Sequence, residues 1–593
     1  MHSIPVESIR MSLQTALAHH QAGRLAEAMA IYQQILDTTP DDIEALRWLG
    51  SAAGQLGNTR LAITILSRGH ALAPDHVEIL LSLATMQRAA QAYEQALACY
   101  EKALALQPRS SLALYGKGAT LQRMGRPREA MAALRMAVAL APTHAQAHLN
   151  LADLLRESGD ADQVAEAHYR QAIAAAPALA AAHYGLGIVL YQQDRLQEAG
   201  DSFAQAVNCR EDFVQALYNL ALVSRRLHRP TEAMAHYRRV LEIDPEHVHA
   251  RINLSALLQE EGFEAEAREQ CDQAYRRQNV FVKITPGAAK TVLILFDVGT
   301  GNMNLTHLFD TRTTNLIDWM IEYATPGQQA QLPPYDLVFN AMGDPDLTRS
   351  GVTAPLALFV EHCARPVLNP PDKVARTARH RLPQLLGDIS NLAIAPVRRY
   401  ASAQDWDPDL QAQLPLLLRP IHTQGGVGMQ RMTTPADLAL QRERQQSPVY
   451  VFPFVDSRCA DGCWRKYRVI FIDRQPYPYH LGISPNWMVH YYTADMGGHA
   501  WKLEEEKRFL QDPQAVLGAA AMQTLREIGA RLDLDYAGVD FSLLPDGRVL
   551  VFEANSTMLV HPENADGPYA HKNAYVRRIL DCFEAMLTKR IAS

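Results

Sequence analysis

The chain has 593 residues and a mass of 66.0 kDa, with 48% hydrophobic and 20% charged residues. That length supports several domains with buried cores, and the composition excludes collagen-like, coiled-coil and wholly disordered classes. The net charge of −7 is shared along the chain and neither half is basic, which argues against a nucleic-acid partner. Seven cysteines are too sparse for a disulfide scaffold. Cys459 and Cys463, a C-x3-C pair, lack the spacing of a redox or zinc motif and read as ordinary reduced thiols. The first residues carry no basic stretch followed by an apolar core, and no apolar run approaches the ~18 residues of a membrane span. The expectation is a cytoplasmic protein without a membrane partner.

After a lead over residues 1–8, the sequence repeats. Pro40, Pro74, Pro108, Pro142, Pro177 and Pro245 follow one another at 34, 34, 34, 35 and 68 residues, with Glu211 at the missing step. Twelve residues before each point stands an alanine: Ala28, Ala62, Ala96, Ala130, Ala165, Ala199 and Ala233, continued by Ala267. Eight residues before each stands a bulky side chain: Tyr32, Leu66, Tyr100, Leu134, Tyr169, Phe203 and Tyr237. Alanine permits close helix approach, the bulky residue fills the space beside it, and proline ends the second helix of each unit. Gly23, Gly57 and Gly125 fall where the turn between helices needs a permissive backbone. The pattern resembles the tetratricopeptide repeat, with about eight copies over residues 9–283 forming an all-α superhelical solenoid. Asn150, Asn219 and Asn253 share the sixth position of the first helix in three of the last four repeats, with Gly185 in the fourth. Similar repeat proteins hold a peptide backbone from that position, because a carboxamide both donates and accepts. The resemblance thus implies a peptide or protein partner in the groove.

Near residues 281–290 the helical period stops. Thr291–Phe296, Tyr335–Asn340 and Pro366–Asn369 read as short buried strands separated by helical stretches, which predicts a small α/β domain over 288–370. The segment Gly299-Thr-Gly-Asn302 reads as a tight strand-to-helix turn. Further on, Asp535–Asn555 alternates apolar residues around a Pro-Asp-Gly turn at 545–547, the pattern of a hairpin. The alternation fails at Asp540 and at Glu553-Ala-Asn555. Glu553 and Asn555 share one side of a strand, and Asp540 can join them across the hairpin. Three such oxygen donors suit a hard cation such as magnesium.

This hairpin resembles the metal-binding end of the ATP-grasp superfamily, nearest its glutathione-synthetase-like branch. Lys466-Tyr-Arg468 through His480-Leu resembles that branch's strand–turn–strand with a phosphate-binding arginine. Leu416-Leu-Leu-Arg419-Pro420 followed by Gly425-Gly426-Val-Gly428 resembles its strand and mobile phosphate loop, with Arg419 where lysine is usual. A rough alignment also puts Arg381 at a second nucleotide-contacting lysine position, in a chain with only ten lysines. Tyr450, Val451 and Phe452 fall where the family's hinge meets adenine through backbone groups.

The resemblance implies an α/β pre-ATP-grasp domain followed by an α+β ATP-grasp domain over 371–593, its lid at about 378–450. It implies ATP with Mg2+ or Mn2+, the metal held by Asp540, Glu553 and Asn555. The nucleotide would be held by Arg381, Arg419, the glycine loop, Tyr450–Phe452 and Lys466, with Arg468 on the transferring group. His490, in the aromatic segment after the arginine strand, is a candidate base for the acceptor, and His561 could line the acceptor pocket. The expected activity is an ADP-forming carboxylate–amine ligase that works through an acyl phosphate on a peptide or protein docked by the repeats. A second substrate would supply the other reacting group. Two alternatives stay open: a scaffold with a catalytically silent nucleotide domain, or a small-molecule ligase whose repeats dock partners.

Overall fold

A computed structural model describes residues 6–159, 162–299, 302–421, 423, 426–445 and 447–592. The chain divides into two compact units, Met1–Gln270 and Cys271–Ser593.

The first helix begins at Val6, so the lead expected over residues 1–8 lies outside the described residues up to residue 5 and is helical from there. Sixteen helices among the described residues run from Val6–Gln21 to Glu264–Arg277, the last crossing into the second unit. The seven alanines from Ala28 to Ala233 are wholly buried, and the bulky series from Tyr32 to Tyr237 is buried beside them. The turn between the helices of each pair has one fixed shape. Positive φ recurs at Gly23, Gly57, Gln91, Gly125, Gly159, Asp194, His228 and Gly262. Glycine takes that conformation freely, whereas Gln91, Asp194 and His228 are held in it by the helices they join.

Among the described residues the second unit contains three sheets. In the first, Val280–Lys283 (β1), Lys290–Phe296 (β2), Thr314–Met320 (β3), Leu337–Asn340 (β4) and Val367–Leu368 (β5) lie in the order β1-β3-β2-β4-β5. All its pairs are parallel except β1 with β3. Sequence reading found β2, β4 and β5 but not β1 or β3. The turn expected after β2 leads through further turns into β3 rather than into a helix, and Thr300 and Gly301 lie outside the described residues.

Arg398–Tyr400 (β7), Leu416–Pro420 (β8), Gln430–Met432 (β9) and Val449–Pro453 (β10) form a small sheet, β7-β10-β8-β9. The main sheet, β12-β11-β13-β14-β6, consists of Leu392–Ile394 (β6), Trp464–Ile472 (β11), Gln475–Ser484 (β12), Tyr536–Leu543 (β13) and Val549–Asn555 (β14). One face of it packs Val469, Phe471, Leu481 and Val539 with Phe509, Leu525 and Ile528 of two helices. On the other face, Ile470, Ile472 and Tyr536 pack against the C-terminal helix Asn573–Ala592 and the first sheet. That cover reaches only part of the second face.

Candidate functional site

Strand register places four polar residues in one rank across the second face of the main sheet. His480 on β12 opposes Arg468 on β11, Arg468 opposes Asp540 on β13, and Asp540 opposes Glu553 on β14. Opposed residues share a face, so the rank points one way, and Lys466 joins it two positions along β11. Glu553 belongs there because of a bulge. The register passes from Asp540↔Glu553 to Phe541↔Val551 and leaves Phe552 as an extra residue. Without the bulge, Glu553 would share the core face of Val551; with it, Phe552 and Glu553 both reach the open side.

The rank is bound by charge. Arg468 donates Nε and Nη2 to the two Asp540 oxygens at 2.6 and 2.8 Å, and Lys466 Nζ lies 3.1 Å from Asp540 Oδ2. Glu553 is paired with Arg379, and Arg419 Nη1 lies 3.7 Å from it. Burial alone would raise the Asp540 carboxyl, but Arg468 and then Lys466 hold it far below the ordinary carboxylate range. Burial likewise opposes ionisation of Glu553, and Arg379 leads the groups that hold its carboxyl below its usual value. Arg419 is different, since burial and then Arg379 both lower it. Its Nη2 donates to the Thr423 carbonyl at 2.9 Å, while its Nε is buried without a partner among the described residues.

Arg379, Arg419, Lys466, Arg468, Asp540 and Glu553 all line one cavity of about 220 Å³. Arg379, Arg419, Lys466 and Arg468 face only Asp540 and Glu553 in direct pairing, which leaves a surplus of positive charge. The rest of the lining is largely apolar and includes Ile394, Leu417, Met429, Phe452 and Leu550. A largely apolar cavity that also carries clustered guanidinium groups suits a hydrophobic body bearing phosphate. Phe454 closes one wall, with the Arg431 guanidinium 3.8 Å over its ring and Trp487 edge-on at 5.7 Å.

Of the residues expected from sequence, Arg419, Gly426, Phe452, Lys466, Arg468, His490, Asp540 and Glu553 line this one cavity. Gly425 lies outside the described residues. Gly426 has φ +79°, and a Cβ there would stand 3.1 Å from His490 Nε2. Gly428, at φ +72°, turns the loop back against Pro420. Burial, then Lys466, lowers the His490 imidazole below its ordinary value. Asp540 and Glu553 are donors of the type a hard cation takes, and they are the residues that would hold one, although guanidinium groups engage both here. Among the described residues no group of three or more His, Cys, Asp and Glu is arranged to hold a metal ion.

Five other expected residues stand outside that lining. Arg381 donates to the Ala375 carbonyl at 3.3 Å and is not among the cavity's lining residues. Arg379, two residues earlier, takes the position beside Glu553, and nothing in the local sequence separates the two arginines. Asn555 shares the Glu553 side of β14, but its Oδ1 accepts from the Thr557 amide and hydroxyl at 3.0 and 2.9 Å. It lines a small adjoining void with Asp344, Asp346 and Arg379. Tyr450 and Val451 sit between β7 and β8 with their backbone in two ladders. Pairing with β7 ends at Val451, so Phe452–Val455 form the cavity's margin instead. The Tyr450 hydroxyl donates to Asp346 at 2.6 Å. His561 pairs with the Tyr492 hydroxyl at 2.8 Å, outside the cavity's lining.

In the repeat unit, Asn219 and Asn253 donate to the Tyr184 and Tyr218 hydroxyls of the preceding repeats at 3.2 and 3.0 Å, and Asn150 accepts from Gln146 at 3.0 Å. The amide nitrogens of Asn219 and Asn253 are therefore already engaged within the array.

Models of the tetratricopeptide repeat match residues 19–86, 79–111, 99–132, 163–212 and 214–247. The region 19–247 is thus built of tetratricopeptide repeats. The chain is 29% identical over 185 residues to the human protein O-mannosyl-transferase TMTC3, a match spanning 29% of this chain and 20% of that protein. It therefore spans about a fifth of the length of that curated relative. Solved structures with similarity include MamA, at 24% identity over 29% of this chain and 92% of that one, with a TM-score of 0.26. YrrB, described as a repeat protein with an unusual peptide-binding site, is 20% identical over 31% of this chain and 95% of its own, with a TM-score of 0.28. Among the described residues no helix is long and apolar enough to cross a membrane.

Proposed function

We propose that the repeat array is a protein-interaction scaffold and that the second unit is an ATP-dependent carboxylate–amine ligase acting on the peptide or protein so docked. The observation that carries the ligase reading is the buried Asp540 and half-buried Glu553, paired with Arg379, Arg419, Lys466 and Arg468 in the lining of one largely apolar cavity. In this reading ATP seats its base in the apolar part and its phosphates among the cations, and magnesium, held by Asp540 and Glu553, supplies further charge neutralisation. Arg468 orients the substrate carboxylate, whose oxygen attacks the terminal phosphorus as ADP departs. An amine then displaces phosphate from the acyl phosphate, its proton passing to His490, which is neutral when its imidazole is held below the ordinary value. The loop carrying Gly426 and Gly428 excludes water from the activated acyl group.

The test is magnesium-dependent ATP turnover over a panel of amino acids and peptides, run beside Asp540→Ala and Glu553→Ala. Acceptor-dependent release of ADP and phosphate that disappears in both variants supports the ligase. AMP and pyrophosphate would refute the acyl-phosphate route. The scaffold reading with a silent nucleotide domain is favoured by the guanidinium groups that engage both carboxylates and by the repeat family itself. Absence of ATP binding by calorimetry would select it, whereas tight binding without turnover would mean that the right acceptor was missing from the panel.

A further inference from the structure

The geometry points to a reversible disulfide between Cys459 and Cys463 at the rim of the cavity. The chain leaving β10 reverses over these residues before it enters β11. The Gly462 amide donates to the Cys459 carbonyl, and the Cys459 amide donates to the Cys463 carbonyl, each at 2.9 Å. Gly462 has φ +81°. A turn closed by a left-handed glycine in this way is the three-residue hairpin with a glycine bulge, and it sets its two end residues opposite one another. Directly opposed residues stand roughly 4.5–5.5 Å apart at Cα, within the roughly 4.4–6.8 Å that a disulfide spans.

The side chains share a face. Arg465 stands two residues beyond Cys463 on the same side of the chain, and its guanidinium is raised by Glu505 and Asp461 and also by the Cys459 thiol. The turn is braced as well: Asp461 accepts from the Cys463 amide at 3.0 Å and from Arg465 at 2.8 Å, and Glu505 holds Arg465 at 2.5 Å. Both cysteines are free thiols and partly exposed. Ser457 before the turn and Trp464, Arg465 and Lys466 after it line the cavity, so a bond here would tie one wall of the site to another.

The chemistry requires a hydroperoxide. It oxidises one thiol to a sulfenic acid as its O–O bond is reduced and water or an alcohol leaves. The second sulfur then displaces hydroxide, which departs as water with that thiol's proton, and a dithiol reductant restores both thiols.

Trypsin cleavage after Arg458 and Arg465 releases Cys459–Arg465 as one peptide carrying both thiols. The full chain is exposed to hydrogen peroxide, alkylated under denaturing conditions, digested and weighed. The expected peptide is unalkylated, lighter than the reduced peptide by two hydrogens, and returned to the alkylatable form by dithiothreitol. It should form several-fold faster in the folded chain than in concentrated urea. In Cys459→Ser, Cys463 should instead stay as a sulfenic acid trappable by dimedone. The proposal is overturned if the peptide remains doubly alkylated while the exposed Cys209 is oxidised, or if the link forms as fast in the unfolded chain.

Discussion

Arg468 clasps the Asp540 carboxylate through two hydrogen bonds, at 2.6 and 2.8 Å, from the directly opposite position on the neighbouring strand. Asp540 is 2% exposed, while Arg468 lines the cavity with its other side. Truncating one partner of such a pair leaves an uncompensated buried charge, which costs about 3–5 kcal/mol. Lys466, at 3.1 Å, retains part of the compensation, so Arg468→Ala is expected at the lower end, about 3 kcal/mol. Denaturant unfolding followed through the second unit's transition measures this. A loss below 1 kcal/mol would mean that the pair is solvated.

His480, at the end of the same rank, gives the second unit a pH dependence. Burial, then Arg468 and Lys572, hold its imidazole well below the ordinary histidine value. Between the lowered folded value and the unfolded value of about 6.5, the unfolded chain binds the extra proton, so stability falls as pH falls through that window. The slope attributable to this residue is at most about 1.4 kcal/mol per pH unit. Unfolding midpoints between pH 7.5 and 5.5 for the wild type and His480→Gln should converge at the acid end; parallel curves would exclude this origin.

Gly185 breaks the asparagine series for a steric reason. A Cβ at that position would lie 2.3 Å from Cε1 of Tyr169. That ring is buried, and its hydroxyl is fixed by Asp153 at 2.6 Å and Arg156 at 3.3 Å, so it cannot yield cheaply. Gly185→Asn, which would complete the series, should therefore destabilise the repeat unit by about 1–3 kcal/mol. Thermal unfolding of the full chain should show an earlier first transition. An unchanged transition would show that Tyr169 can move aside.

His228 and Gln91 occupy the left-handed turn position that five of the eight turns give to glycine. A side chain in that conformation costs roughly 1–2 kcal/mol, partly offset by the entropy glycine loses on folding. His228→Gly and Gln91→Gly should each stabilise the repeat unit by about 0.5–1 kcal/mol. Urea midpoints measure the sign directly.

Much of this was legible in the chain of residues. The spacing of proline, alanine and bulky side chains determined the repeat array, because each unit must bury the same apolar stripe on its neighbours and so reuses the same residue types. The hairpin of Asp535–Asn555 was equally legible, since its apolar alternation and Pro-Asp-Gly turn are local signals. The broken alternation at Glu553 was the trace of the Phe552 bulge. Strand β3 was missed because Asn315 and Asp318 interrupt its apolar run, whereas β2 and β4 carry unbroken ones.

Tertiary structure alone decided which charges meet. Arg379 and Arg381 are indistinguishable by spacing, and only the path of the chain after Pro371–Ala375 brings Arg379, not Arg381, to Glu553 across 174 positions. The partner of Tyr450 is Asp346, again 104 residues distant. Ion pairing is a property of nearness in space, and a sequence encodes nearness only where hydrogen-bonded register carries it, as between Asp540 and Glu553.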